Sequence, residues 1–262
     1  MATANDLYRT LAEATGKSVS AVEAYGLGLR KIGRWPPTKP GRGASPVTVM
    51  DTAKLLYVML SAGPNDIGDF FMQYANTCPL EKQENAILSR VLRSELALKD
   101  DAKFLDYCAA FVGKYSDETI KDVVFWSESP EGMMEESAYL GPNIEMRVQG
   151  PFPIGSFKFI LSHKMLDRIA DAGGDPKQHM GMIVLPFLPE FFRLAADSRK
   201  RADNAESKRL RAEHLRSADA FSAAIQALRD STAKGIGFER YLGGREFDAV
   251  GRVLRGDVLS TD

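Results

Sequence analysis

Residues 10–32 read TLAEATGKSVSAVEAYGLGLRKI, and the pattern predicts a helix, a tight turn and a second helix. Ala12 is small, so a second helix can cross close to the first. Gly16 falls at the turn, where a positive φ is cheap only without a Cβ. Ser18 or Ser20 can cap the second helix by accepting a bond from its free N–H groups. Val22 then points back between the two helices. Upstream, Asn5 or Thr3 can cap a first helix running to about Ala14, with Leu7, Leu11 and Ala14 on one face. The second helix is expected over 19–32. Its inner stripe is Val19, Val22, Tyr25 or Gly26, Leu29 and Ile32, and its outer face Ser20, Glu23, Ala24, Leu27, Arg30 and Lys31. Gly26 and Gly28 each cost ~1 kcal/mol against Ala within a helix. They mark either a close helix crossing or a shorter helix.

Residues 33–46, GRWPPTKPGRGASP, follow. Their prolines rule out a helix, and KPGRG reads as a basic turn. Thr48 can cap a third helix with Val49, Ala53, Leu56, Tyr57 and Leu60 inward, stopped by Gly63 and Pro64. Residues 1–63 are thus expected to form one small domain and 64–262 a second unit. Residues 1–50 hold seven Lys or Arg against three acids, net +4, whereas the whole chain is −1, so the remainder carries −5. A basic head on an acidic body is the asymmetry of a segment that approaches phosphate.

The order helix, GKS turn, helix ending LRKIGRW, basic GRG loop, then a helix opening VMDTAKLL resembles winged helix-turn-helix proteins of phage and prophage regions. The resemblance covers the N-terminal quarter. It implies binding of double-stranded DNA, with the second helix in the major groove. Ser18, Ser20, Ala21 and Glu23 would then lie nearest the base edges, and Lys17 at the turn beside the backbone. Arg30, Lys31, Arg34, Lys39 and Arg42 would contact phosphate or the minor groove.

Beyond Pro64 the pattern stays helical to Tyr115. One apolar cluster holds Ile67, Phe70, Phe71 and Tyr74. A second holds Ala86, Ile87, Val91, Leu92 and Leu96, and a third Phe104, Leu105, Cys108, Phe111 and Val112. Between 122 and 163 the period changes to two. Val123–Trp126, 144–149 and 157–162 predict a small antiparallel sheet of about three strands, with 182–185 as a candidate fourth. Glu128, Glu131, Glu135 and Glu136 read as a solvated acidic loop. A short helix is expected over 165–172, ended by Gly173 and Gly174. Residues 190–234 contain no Gly or Pro. They form one very long helix or, with a break near Asp203 and Asn204, a helical hairpin. Its stripe Leu210, His214 or Leu215, Ala218, Phe221, Ile225 and Leu228 suits a hairpin partner or a dimer seam. Within it, residues 197–216 carry seven Lys or Arg against four acids. The glycine-rich tail 235–262 reads as loop and short helix.

The fold class expected is therefore α+β, mainly α: an N-terminal winged helix-turn-helix, a body of helices with a small antiparallel sheet, and a long C-terminal helix or helical hairpin. A composition with 44% hydrophobic and 26% charged residues is that of an ordinary folded chain. No apolar run approaches the ~20 residues of a membrane span, and 1–14 lacks the pattern of a secretory signal. Cys78 and Cys108 show no CxxC spacing and read as free buried thiols in a reducing cytoplasm. His163 and His179 stand alone as candidate bases, without an orienting acid at a fixed offset. No metal or cofactor signature is present, and no catalytic site can be assembled. The function expected is sequence-specific DNA binding by a phage- or prophage-type transcriptional regulator that is not an enzyme. A homo-oligomer is expected, with a dimer favoured, together with a protein partner for the acidic body and no membrane. The alternative is a DNA-packaging component of the terminase small-subunit type.

Overall fold

Thr48 opens the helix around which the other elements pack. In this computed structural model, which describes residues 2–36, 46–68, 71, 75–80, 86–125, 144–150, 154–232 and 238–256, helix α3 spans Val49–Ser61. The Thr48 hydroxyl accepts from the Asp51 N–H at 3.1 Å, and the Asp51 carboxylate accepts from the Thr48 N–H at 3.2 Å. This reciprocal pair satisfies two of the donors that a helix start leaves orphaned. From Asp51 onward nearly every side chain is buried, with Leu55, Leu56, Tyr57 and Val58 wholly so.

The helices before it are α1 (Ala4–Thr15) and α2 (Val19–Lys31). Thr3 caps α1 through the same kind of reciprocal pair, with Asp6. The glycines of α2 mark close crossings. A Cβ on Gly26 would overlap the Tyr8 hydroxyl, and one on Gly28 would overlap Ile67 Cδ1 and lie 2.8 Å from the Pro64 carbonyl oxygen. Val19, expected inside, is 43% exposed because it sits in the first turn, beyond the reach of α1.

The body adds α4 (Ala86–Glu95), α5 (Phe104–Ser116) and α6 (His163–Asp171). Its sheet runs β1 (Cys78–Pro79), β4 (Met182–Leu188), β3 (Ile154–Ile160), β2 (Ile144–Gly150), β5 (Phe238–Gly243) in spatial order, antiparallel throughout. Alternation in the strands puts Met146, Val148, Phe157, Phe159, Leu185, Phe187 and Leu242 on one buried face. That face meets α5 through packed rings: Phe104 lies 5.1 Å from both Phe157 and Phe187, and Phe111 lies 5.0 Å from Phe157. The α3 helix fills the space between this layer and the α1–α2 pair, packing on α2, α5, β2 and β5.

Two expectations need correction. Val123 and Val124 are buried, but among the described residues the segment makes a single bridge, Val124 to Leu161, after a 3-10 turn at Ile120–Asp122. The two-residue β1 and the strand β5 join the sheet instead. The tail is no loose appendage, since α9 (Gly244–Arg255) buries Phe247, Val250 and Val253 against α1 and α5. The buried apolar residues from Ala2 to Val253 form one connected core that includes residues on both sides of Gly63. The expected strands at 144–149, 157–162 and 182–185 are present over Ile144–Gly150, Ile154–Ile160 and Met182–Leu188, the second starting earlier and ending before 162. The long Gly-free stretch is a pair of helices, α7 (Glu190–Asp203) and α8 (Lys208–Thr232), packed chiefly on each other.

Two measurements check this packing. The isolated fragment 1–63 would bare the α3 surface that α5 and the sheet cover, so it should show no cooperative melting transition by circular dichroism. Helix propensity alone favours Gly28→Ala by ~1 kcal/mol. The backbone carbonyl of Pro64 blocks the new methyl, and overpacking of this kind costs ~1–3 kcal/mol. The variant should therefore unfold at lower denaturant than the parent.

Candidate nucleic-acid interface

The turn between α1 and α2 is built by backbone geometry. Gly16 has φ 67° and ψ 20°, and nothing lies within 4 Å of a Cβ placed there, so the glycine is required by conformation and not by space. The Lys17 N–H donates to the Ala12 carbonyl at 3.0 Å and the Gly16 N–H to that of Glu13 at 3.4 Å. These two bonds close α1 with a Schellman turn. Ser18 then caps α2, its Oγ accepting from the Ala21 N–H at 3.2 Å. The Ser20 hydroxyl lies 3.1 Å from the same oxygen and supports the cap.

The anchored side of α2 is Val22, Tyr25, Gly26, Gly28 and Leu29, all buried. On the other side Ser20, Glu23, Leu27 and Lys31 form one exposed stripe at helical spacing, with Leu27 46% exposed. Lys17 and Ser18 are exposed at the N-terminal end and Ala21 is half-buried. The structure thus brings Lys17, Ser18, Ser20, Ala21 and Glu23 together at one end of α2. Arg30, Lys31 and Arg34 lie at the other end, ~20 Å away along 13 residues.

These C-terminal cations differ in availability. Lys31 is exposed. Arg30 is half-buried with its Nε out of solvent, near Tyr8. Burial pushes the Tyr8 hydroxyl above its ordinary pKa, and the Arg30 charge partly offsets this. The Tyr8 ring stacks on Trp35 at 6.0 Å, which pins the chain leaving α2 against α1. Arg34 holds its guanidinium 5.8 Å over the Phe71 ring, a contact within the fold. Lys39 and Arg42, with the basic loop expected to act as the wing, lie outside the described residues, as do Glu128, Glu131, Glu135 and Glu136.

Other candidate groups read as structural. Cys78 and Cys108 are both free and buried. Burial pushes the Cys108 thiol far above its ordinary range. His179 is buried, which lowers its pKa, and His163 meets the Phe125 ring edge-on at 5.9 Å. One polar cluster had no signal in the sequence, because its members are far apart in the chain. Lys103 Nζ donates to Cys78 Sγ at 3.1 Å and pairs with Glu190 at 3.5 Å, while Arg193 donates to Glu190 at 2.8 Å. The hydrogen bond from Arg193 holds the Glu190 carboxyl below its usual range. The cluster ties the start of α7 to the body. Among the described residues no group of three or more His, Cys, Asp or Glu is placed to hold a metal ion, and no helix is long and apolar enough to cross a membrane.

Comparison with known protein families, with characterised proteins and with solved structures finds no match to this chain. What the surface of α2 can do therefore rests on its own geometry: a rigid helix end with exposed hydroxyls, one carboxylate and a flanking lysine. Removing the cap should be felt locally. Ser18→Ala should lower stability by ~1 kcal/mol, read as a shift of the urea midpoint.

Proposed function

We propose that the protein binds double-stranded DNA in a sequence-specific manner through the N-terminal half of α2, as a transcriptional regulator of the phage or prophage type. The observation that carries this reading is the exposed, capped N-terminal end of α2 on a helix whose opposite face is locked into the core. Base readout needs side chains held at fixed positions on a rigid element, at a helix end that can enter the major groove. Ser18, Ser20, Ala21 and Glu23 occupy that end. Lys17 stands beside them, where a phosphate strand would pass, and Lys31 marks the far end of the same stripe. Lys39 and Arg42 belong to the same proposal through the basic loop that follows. A dimer would place two such helices in half-sites about one helical turn (~34 Å) apart, which multiplies weak individual readout.

Glu23 is the sharpest probe. A carboxylate accepts from cytosine N4 but repels phosphate. Selection of bound sequences from a random duplex pool should yield a defined site for the parent protein. In Glu23→Gln the preferred base should change at one position, with non-specific affinity equal or slightly stronger. Uniformly stronger binding without a change of preference would show that Glu23 reads no base. Retention of no particular sequence by the parent would remove the reading altogether.

A further inference from the structure

We propose that the tip of the α7–α8 hairpin is a second contact with double-stranded DNA, one that grips the phosphate backbone without reading bases. The proposal rests on the DNA-binding reading of α2 and adds a separate surface to it. The two helices pack chiefly on each other, closing over Ala195, Ala202 and Ala218. Small residues let the helices approach closely, and Arg199 ties them by donating to the Ser222 hydroxyl at 3.1 Å. The outcome is a narrow arm, ~37 Å long on the α8 side, tied to the body at its root by Lys103 and Glu190.

Charge is concentrated at the free end of this arm. Residues 199–211 hold six Lys or Arg and two acids, net +4 on a chain of −1. Lys200, Arg201, Lys208, Arg209 and Arg211 are exposed, and among the described residues their side chains form no ion pair or hydrogen bond. Several cations of the body are matched, Lys54 with Asp51, Lys164 with Asp122, Arg168 with Glu95, Arg252 with Asp248 and Arg255 with Glu118, while Lys99, Lys121, Lys177 and Arg245 stand exposed and scattered. The tip also holds Asp203 and Glu206, but among the described residues neither forms an ion pair with these five cations, which sit together within residues 199–211.

The first turn of α8 adds an independent argument. It contains no acid, and Lys208, Arg209 and Arg211 stand where the helix dipole already presents positive charge. A side-chain choice that works against its own helix is expected where an external anion completes the site. The cap is in place, since the Leu210 N–H donates to the Ser207 hydroxyl at 3.2 Å, so the cations are not needed to satisfy the helix start. A rod with paired cationic flanks on two antiparallel helices matches a phosphate strand, whose charges repeat at short, regular intervals.

The test uses the full chain and a random-sequence duplex of about 30 base pairs, with affinity followed by fluorescence anisotropy as salt is raised. The variant carries Lys200→Gln, Arg201→Gln, Lys208→Gln, Arg209→Gln and Arg211→Gln. The slope of log affinity against log salt should become shallower by ~0.9 for each phosphate no longer neutralised, or by about four units in all. The base preference found by selection should stay as in the parent. A two-site variant, Lys208→Gln with Arg209→Gln, should give about two units, and it covers the case in which the five-site variant fails to fold. An unchanged slope in a folded variant, with specific binding retained, overturns the hairpin contact and leaves the α2 reading intact. Loss of binding in the hairpin variants, with no effect of Glu23→Gln or of Lys17→Gln with Lys31→Gln, upholds the hairpin and overturns the α2 reading. Tighter binding of the parent to phosphatidylserine vesicles than to duplex, abolished in the same variants, overturns the proposal in favour of a membrane surface.

Discussion

Helix α3 is covered on all sides, and the rest of the molecule depends on that burial. An amphipathic helix needs one partner, whereas α3 needs α2, α5 and the inner face of the sheet at once. Each fully buried Leu, Val or Tyr contributes ~1.5–3 kcal/mol, so the helix is worth little until all of its partners are in place. Its Tyr57 hydroxyl and its last carbonyls are satisfied by distant residues. The Tyr57 hydroxyl donates to the Phe71 carbonyl at 2.6 Å and accepts from the Ala75 N–H at 3.0 Å. The carbonyls of Leu60 and Ala62 at its C-terminal end accept from the Arg240 guanidinium at 3.4 and 3.2 Å. A cation at that end also suits the helix dipole. One buried helix thus draws together Phe71 and Ala75, which follow it in the chain, and Arg240 of β5, ~180 positions on.

The same constraint sets the geometry of α2. With α3 and the following Pro64 segment beneath it, α2 can pack only where glycine replaces a side chain, at Gly26 against Tyr8 and at Gly28 against the Pro64 carbonyl. One face of α2 is thereby fixed without freedom to roll, and the other is fixed as the outer face. Helix α9 completes the arrangement from behind. Its Gly251 lets it approach the Tyr115 carbonyl, where a Cβ would lie at 2.9 Å, and Arg255 donates to the same carbonyl at 2.7 Å. Helix α9 also packs on α1, the helix on which α2 rests.

Electrostatics divides the surface differently from the core. The core joins head and body. Among the described residues, exposed cations without an ion pair occur singly in the body, at Lys99, Lys121, Lys177 and Arg245, but cluster at two outlying places. One is the exposed side of α2 with its flanking Lys17 and Lys31. The other is the end of the α7–α8 arm. Exposed ion pairs contribute little stability individually, so the matched cations of the body are best understood as neutralising charge and the unmatched ones as leaving it available.

Local chemistry was legible in the chain itself. Thr3, Ser18 and Thr48 mark helix starts because a short hydroxyl side chain can reach an orphaned N–H, and Gly16 marks the turn because it accepts a positive φ. The alternation in 144–149 and 157–162 announces strands because one side of the sheet is buried. The break between α7 and α8 was also within reach, because a helix of 45 residues lacks partners enough to bury it. Tertiary structure decided the rest. Periodicity shows that α3 has an apolar face but not how many neighbours it has, so the shared core was invisible. Helix α9 was hidden by glycines at 244, 251 and 256, since the reason for Gly251 is a carbonyl on another helix. Strand β5 forms because β2 offers a free edge, and among the described residues Val123–Phe125 makes one bridge, to Leu161. These outcomes depend on which surfaces meet, and a sequence states what a surface is made of without stating what lies against it.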